Sequence, residues 1–239
     1  MILNTLDLVI HDAEVKIGQT TYTSSNIVYD APRQRATITF PESLPVSEEA
    51  LIVLNFSGTI NHSMVGFYRS KYTPTGTPAA SVVKDGDSHL MFSTQFESCD
   101  ARRAFPAFDE PNLKASFDFQ IEIPSDQVAL SNMPEKSIKE TKPGFKTVLF
   151  EKTPIMSTYL LCWAFGDFEY VEDFTKRLYN GKPLPVRVYT TKGLLPQAKF
   201  ALDHAPQIID YYSEIFGIDY PLPKADLLAV HEYVSMFTP

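Results

Sequence analysis

Phe117, Phe119, Ile121 and Ile123 alternate strictly with Asp118, Gln120 and Glu122. That period of two belongs to a strand with one buried and one wetted face, and a helix would scatter the same side chains around its axis. Leu6, Leu8 and Ile10 repeat the pattern against Asp7, Val9 and His11, as do Ala36, Ile38 and Phe40 against Arg35, Thr37 and Thr39. Residues 51–56 form a short apolar run, expected to be a strand covered on both faces. Residues 64–69, 129–131, 147–150, 159–165, 166–172 and 185–190 supply further strand material, the 159–165 run being buried around Trp163, the only tryptophan. Turn signals such as Asp30-Ala31-Pro32, Ser57-Gly58 and Lys142-Pro143-Gly144 separate these segments. The chain therefore reads as mainly β, a curved multi-stranded β-sandwich.

Near residue 191 the texture changes. Ala201, Ala205, Ile208, Tyr212 and Ile215 recur at spacings of three and four within residues 196–216, which predicts a helix. Pro196 suits its first turn, Gly217 its stop, and Pro206 is expected to bend or split it. An apolar strand is expected at 227–230. The expected organisation is a β-rich domain over 1–191 followed by a short α/β segment over 192–239. Residues 72–89, with Pro74, Gly76, Pro78 and Gly86, read as a surface loop.

Composition narrows the function classes. A hydrophobic content of 44% with 13% aromatics supports a packed core and argues against disorder. The net charge of −8, without a basic run, argues against nucleic acid and anionic membrane as partners. No apolar stretch approaches the roughly 20 residues that span a bilayer, and the start lacks the features of a secretory signal. Two cysteines, Cys99 and Cys162, fit a reducing compartment and are expected to be buried thiols. A cytoplasmic location is the expectation.

The densest chemistry lies in Thr94-Gln95-Phe96-Glu97-Ser98-Cys99-Asp100-Ala101-Arg102-Arg103-Ala104-Phe105-Pro106-Ala107-Phe108-Asp109-Glu110-Pro111. Neither strand nor helix periodicity describes it. Phe96, Phe105 and Phe108 are placed to anchor the run, while Gln95, Glu97 and Asp100 project polar groups and the prolines fix a bent path. One reading is a rigid loop presenting a carboxylate to a ligand's ammonium group. The other is a structural loop in which Arg102, Arg103, Asp100 and Asp109 pair with one another.

The run resembles the signature loop of the N-terminal domain of M1-family zinc aminopeptidases of the puromycin-sensitive and fungal cytosolic type, T-Q-F-E-x-x-D-A-R-R-A-F-P-x-F-D-E-P. Every fixed letter is present. Gly66-Phe67-Tyr68-Arg69-Ser70-Lys71-Tyr72, Met156-Ser157-Thr158-Tyr159-Leu160, Gly166-Asp167-Phe168-Glu169-Tyr170-Val171 and Tyr220-Pro221-Leu222-Pro223-Lys224 agree with it. The resemblance implies a saddle-like β domain leading into the opening helix and strand of a thermolysin-like catalytic domain. It also implies that Glu97 holds a substrate's α-ammonium group and that Gln95 lines the pocket for the first side chain. Arg102, Arg103, Asp100 and Asp109 are read as fixing the loop's shape.

The family's H-E-x-x-H zinc motif and G-x-M-E-N strand do not occur in the 239 residues. His231-Glu232 is followed by Tyr233-Val234-Ser235, with serine where a second histidine ligand belongs. No catalytic residue, metal ligand or cofactor is therefore assigned, zinc being implied only for the full-length family enzyme. The expectation is a portion of an aminopeptidase, cut at both ends and inactive alone, whose partner is a peptide with a free N-terminus. Exposed sheet edges imply self-association. The alternatives are a noncatalytic β-sandwich module that binds a peptide or protein partner, and a fragment with no separate role.

Overall fold

The computed structural model describes residues 1–73 and 89–231. Most of the expected surface loop at 72–89, and Glu232 with the residues after it, lie outside the described residues. The fold is mainly β, with five small sheets and one α-helix among the described residues. It divides into two compact units. The first comprises residues 1–68, 94–115 and 156–161, and the second 69–93, 116–155 and 162–239.

In the first unit, β1 (Ile2–Asn4), β4 (Asn26–Asp30) and β5 (Arg35–Thr39) form a sheet in the order β1-β5-β4. A second sheet orders β3 (Thr20–Thr23), β2 (Leu8–Ile17) and β6 (Leu51–Gly58) as β3-β2-β6. Leu8, Ile10, Ala13 and Val15 of β2 are buried, so the alternation slips by one residue at His11. The cause is a register shift between Ile10 and Asp12 against β6, a bulge that turns two successive side chains outward and then restores the inward face. The core gathers Leu3, Ile10, Ala13, Ala36 and Ile38, with Ile27, Phe40 and Leu54 packed against it. β6 is an edge strand and is not covered on both faces as expected. Its residues Leu51 and Val53 are exposed, while Ile52 and Leu54 between and beside them are partly buried.

In the second unit, β7 (Gly66–Tyr72), β8 (His89–Gln95), β10 (Val128–Ser131) and β13 (Trp163–Gly166) form a sheet in the order β10-β13-β8-β7, with β7 and β8 each continuing past the unit's boundary. A further sheet orders β9 (Gln120–Pro124), β11 (Glu135–Lys142) and β12 (Phe145–Phe150) as β11-β12-β9. The alternation at 117–123 is realised as β9 and its approach. Thr153 N and Phe150 N donate to the Phe117 and Phe119 carbonyls, extending the pairing below the strand proper. The run at 159–165 divides into a 3-10 turn at Thr158–Leu160 and β13. Trp163 is buried and Leu160 is exposed.

β14 (Phe168–Tyr179) and β15 (Lys182–Thr191) make a long antiparallel hairpin, and β16 (Ala225–Leu228) joins β15 in parallel. Asn180 and Gly181, both at positive φ, form the two-residue turn that matches strand twist. Helix α1 (Leu195–Phe216) packs on β14 and β15 and ends at Gly217 in the left-handed region, as the sequence predicts. Pro206 does not split it. The helix is assigned without interruption, and Pro206 is buried on the side that carries Ala205 and Ile209 onto the hairpin core.

Candidate functional site

Gln95 ends β8, and the chain then leaves the ladder. Phe96 is 2% exposed and meets Phe105 edge-to-face at 6.0 Å, which pins the loop at its start. Neighbours of an inward side chain in extended backbone face outward. Gln95 is half-buried, and Glu97 is exposed at the turn that follows. Neither side chain makes a hydrogen bond or ion pair among the described residues. Asp100 N returns to the Phe96 carbonyl, and a 3-10 turn at Ala101–Arg103 follows. Phe108 is 49% exposed, so the expected third aromatic anchor is absent and buried Pro106 and Asp109 hold the far end instead.

Asp109 is the hub of this loop. Its Oδ2 accepts from Arg102 N at 3.2 Å and Arg102 Nε at 2.9 Å, and its Oδ1 accepts from the Thr158 hydroxyl at 2.5 Å. The Arg102 guanidinium also donates to the Asp109 carbonyl and to Gln34 Oε1. Asn4 grips the loop from β1: its backbone pairs both ways with Ala107, and its Oδ1 accepts from Asp109 N. Arg103 pairs with Asp100 and with Asp7. Ser157 donates to the Pro111 carbonyl at 2.6 Å. The arginines are thus spent on Asp109, Asp100 and Asp7, and Glu97, exposed like Glu110 further along the loop, has no ion-pair partner among the described residues. Sequence reasoning assigned no part to Asn4, Gln34 or Thr158. The only signal for Thr158 was that the Met156–Leu160 stretch accompanied the loop.

The second unit holds a cavity of about 640 Å³ against Leu130, Phe150, Phe168, Tyr170 and Tyr189. Both cations at its wall are paired. Lys224 is bonded to Asp226 and to the Ser131 carbonyl, and Arg187 to Glu172 at 2.6 Å. Burial, with the Asp226 carboxylate adding to it, pushes the Tyr189 phenol up to about 12 against the opposing pull of Arg187. Two ion pairs thus brace this wall, while Asp226 Oδ1 stays buried without a hydrogen-bond partner. Among the described residues no group of three His, Cys, Asp or Glu side chains is placed to hold a metal ion, so they do not fit a zinc site. Cys99 and Cys162 are free and, as residues, exposed, where buried thiols were expected, although desolvation around the Cys162 sulfur still pushes its thiol up. No helix among the described residues is long and apolar enough to cross a membrane.

The chain is similar to known proteins over most of its length. The family model for the Peptidase M1 N-terminal domain matches residues 1–160. Aminopeptidase M1-B of Oryza sativa subsp. japonica is 41% identical over 236 residues, covering 98% of this chain and 25% of the relative. Aminopeptidase 2, mitochondrial, of Saccharomyces cerevisiae is 42% identical over 233 residues, covering 97% and 22%. The alanine/arginine aminopeptidase of the same yeast is 39% identical over 235 residues, covering 97% and 25%. The chain spans about a quarter of the length of these relatives.

Proposed function

This chain belongs to the peptidase M1 N-terminal domain family, and from that membership we propose that it supplies the substrate-recognising part of an aminopeptidase. Glu97 receives the α-ammonium group of a peptide, and Gln95 lines the space for the first side chain. The observation that carries this reading is the state of Glu97, an exposed carboxylate on a loop whose arginines are already occupied. A free peptide amine titrates near 8 and is mostly cationic at neutral pH. Its charge-assisted bond to a positioned carboxylate contributes roughly 1.5–3 kcal/mol. Because the bond forms only at a chain end, it distinguishes an exopeptidase substrate from an internal segment.

Hydrolysis is a separate matter. The family's zinc motif is not in this sequence, and the described residues offer no substitute set of ligands. We assign this chain recognition without hydrolysis of its own, and a cytoplasmic location on its composition.

The test is an NMR titration with trialanine and N-acetyl-trialanine. A single ion pair of this size supports a Kd of order 10 mM, so shifts at residues 95–98 are expected with the free peptide only. They are expected to disappear in Glu97→Gln. Equal responses to both peptides, or an unchanged response in the variant, would refute the anchor and leave a module that binds by other surfaces.

A further inference from the structure

The turn that carries Glu97 is held at both ends. At its start Phe96 is buried against Phe105. At its close Asp100 N donates to the Phe96 carbonyl at 2.9 Å, with Glu97, Ser98 and Cys99 between the two. A carboxylate cannot lock into a core as the Phe96 ring does, and Asp100 is held by Arg103 instead. Arg103 N donates to the Asp100 carbonyl at 3.0 Å, and Arg103 Nε donates to Asp100 Oδ1 at 2.7 Å.

Arg103 in turn has a hold outside the loop. Nη1 of the same guanidinium donates to Asp7 Oδ2 across 96 positions of sequence. A planar fork bridges two acids in one fixed geometry, which a lysine ammonium on a flexible stem does not. The neighbouring backbone is arranged for this bridge. Leu6 N donates to the Arg102 carbonyl at 3.0 Å, which lays the segment bearing Asp7 alongside the loop. Asp7 stands at φ +59, in the left-handed region that Asp and Asn tolerate better than most side chains. Gly66 leaves the space that the Arg103 stem occupies, since a Cβ there would fall 2.7 Å from Arg103 Cβ and 3.4 Å from its Cδ.

We propose that Asp7, a residue outside the signature loop, is a positioning residue for binding of a peptide's ammonium group. Acting through Arg103 and Asp100, it fixes the turn from which Glu97 meets that ligand. The role rests on Glu97 being the anchor. It is separate from that of Asp109, whose bonds to Arg102 and Thr158 hold the far end of the loop. An ion pair to a carboxylate that is 69% exposed adds little to global stability. Removing it loosens the turn without unfolding the chain.

Two variants test this. Asp7→Asn keeps the backbone preference and removes the charge, and Arg103→Lys keeps the charge and removes the bridge. Each is expected to melt within about 3 °C of wild type. Each is also expected to show lower heteronuclear NOE values at Glu97, Ser98 and Cys99 without ligand, and to bind trialanine roughly threefold or more weakly. Thr158→Val supplies the contrast, with a lower Tm and wild-type NOE values at those three residues. Unchanged NOE values in both Asp7→Asn and Arg103→Lys would overturn the proposal. So would a loosened turn that binds trialanine as wild type does. A loosened turn in variants of a chain that gives no free-amine response at all would instead overturn the Glu97 anchor, and the ligand role with it, while showing that the clamp orders the turn.

Discussion

Thr158 donates its hydroxyl to Asp109 Oδ1 at 2.5 Å across 49 positions of sequence, and both residues are buried. That contact joins the candidate loop to the 3-10 turn behind it. Thr158→Val keeps the shape and removes one hydrogen bond to a charged acceptor, so a loss of about 2 kcal/mol is expected. Asp109→Ala also strands the Arg102 guanidinium, and about 3–5 kcal/mol is expected. Urea unfolding monitored at Trp163 measures both. A Thr158→Val midpoint equal to wild type would show that the contact contributes nothing.

Gly66 sits at φ +68, and a Cβ there would lie 2.7 Å from the Arg103 Cβ. Gly144, at φ +80, has nothing within 4 Å. Strain acts at both sites, and a backbone-proximal clash acts at one. Gly144→Ala is expected to cost about 1 kcal/mol and Gly66→Ala at least twice that. Thermal unfolding of the pair separates the two effects, and equal losses would exclude the clash.

Glu97 is exposed and unbonded, so Glu97→Gln is expected to leave stability within about 0.5 kcal/mol of wild type. A larger loss on urea unfolding would mean that the carboxylate supports the fold rather than standing ready for a ligand.

Tyr189 is neutral in the fold to an unusually high pH. Its folded pKa, about 12, exceeds the ordinary value of 10.0, so its contribution is complete below pH 10 and is lost as pH rises through 12. Phenolate absorbance at 295 nm is expected to contain a late step near pH 12 that Tyr189→Phe lacks. Loss of an ordinary step near pH 10 instead would show that burial does not govern this group.

Strand material with a one-sided apolar pattern was legible, and so were the helix and its glycine stop. β11 was not, because Glu135-Lys136-Ser137-Ile138-Lys139-Glu140-Thr141-Lys142 is almost wholly exposed and offers no buried face to read. The long β14–β15 hairpin was read as two short pieces, although Asn180-Gly181 is a strong turn signal that would have joined them. In the loop, the pairing of Arg102 and Arg103 with acids was foreseen. Their partners Asp7 and Gln34, and Asp109's partner Thr158, were not, since contacts made across 49 to 96 positions leave no trace in spacing. Phe108 was misjudged because aromatic identity alone does not say which ring faces inward.

β14 loses register between Phe174 and Leu178, and the backbone amides of Lys176 and Arg177 donate to Asp210 of α1. Tyr179 reaches the same aspartate and Ser213. The hairpin is therefore unfinished when its second strand has been synthesised. Two amides wait for a carboxylate that leaves the ribosome some thirty residues later, so α1 completes the hairpin before β16 adds the last strand to its sheet.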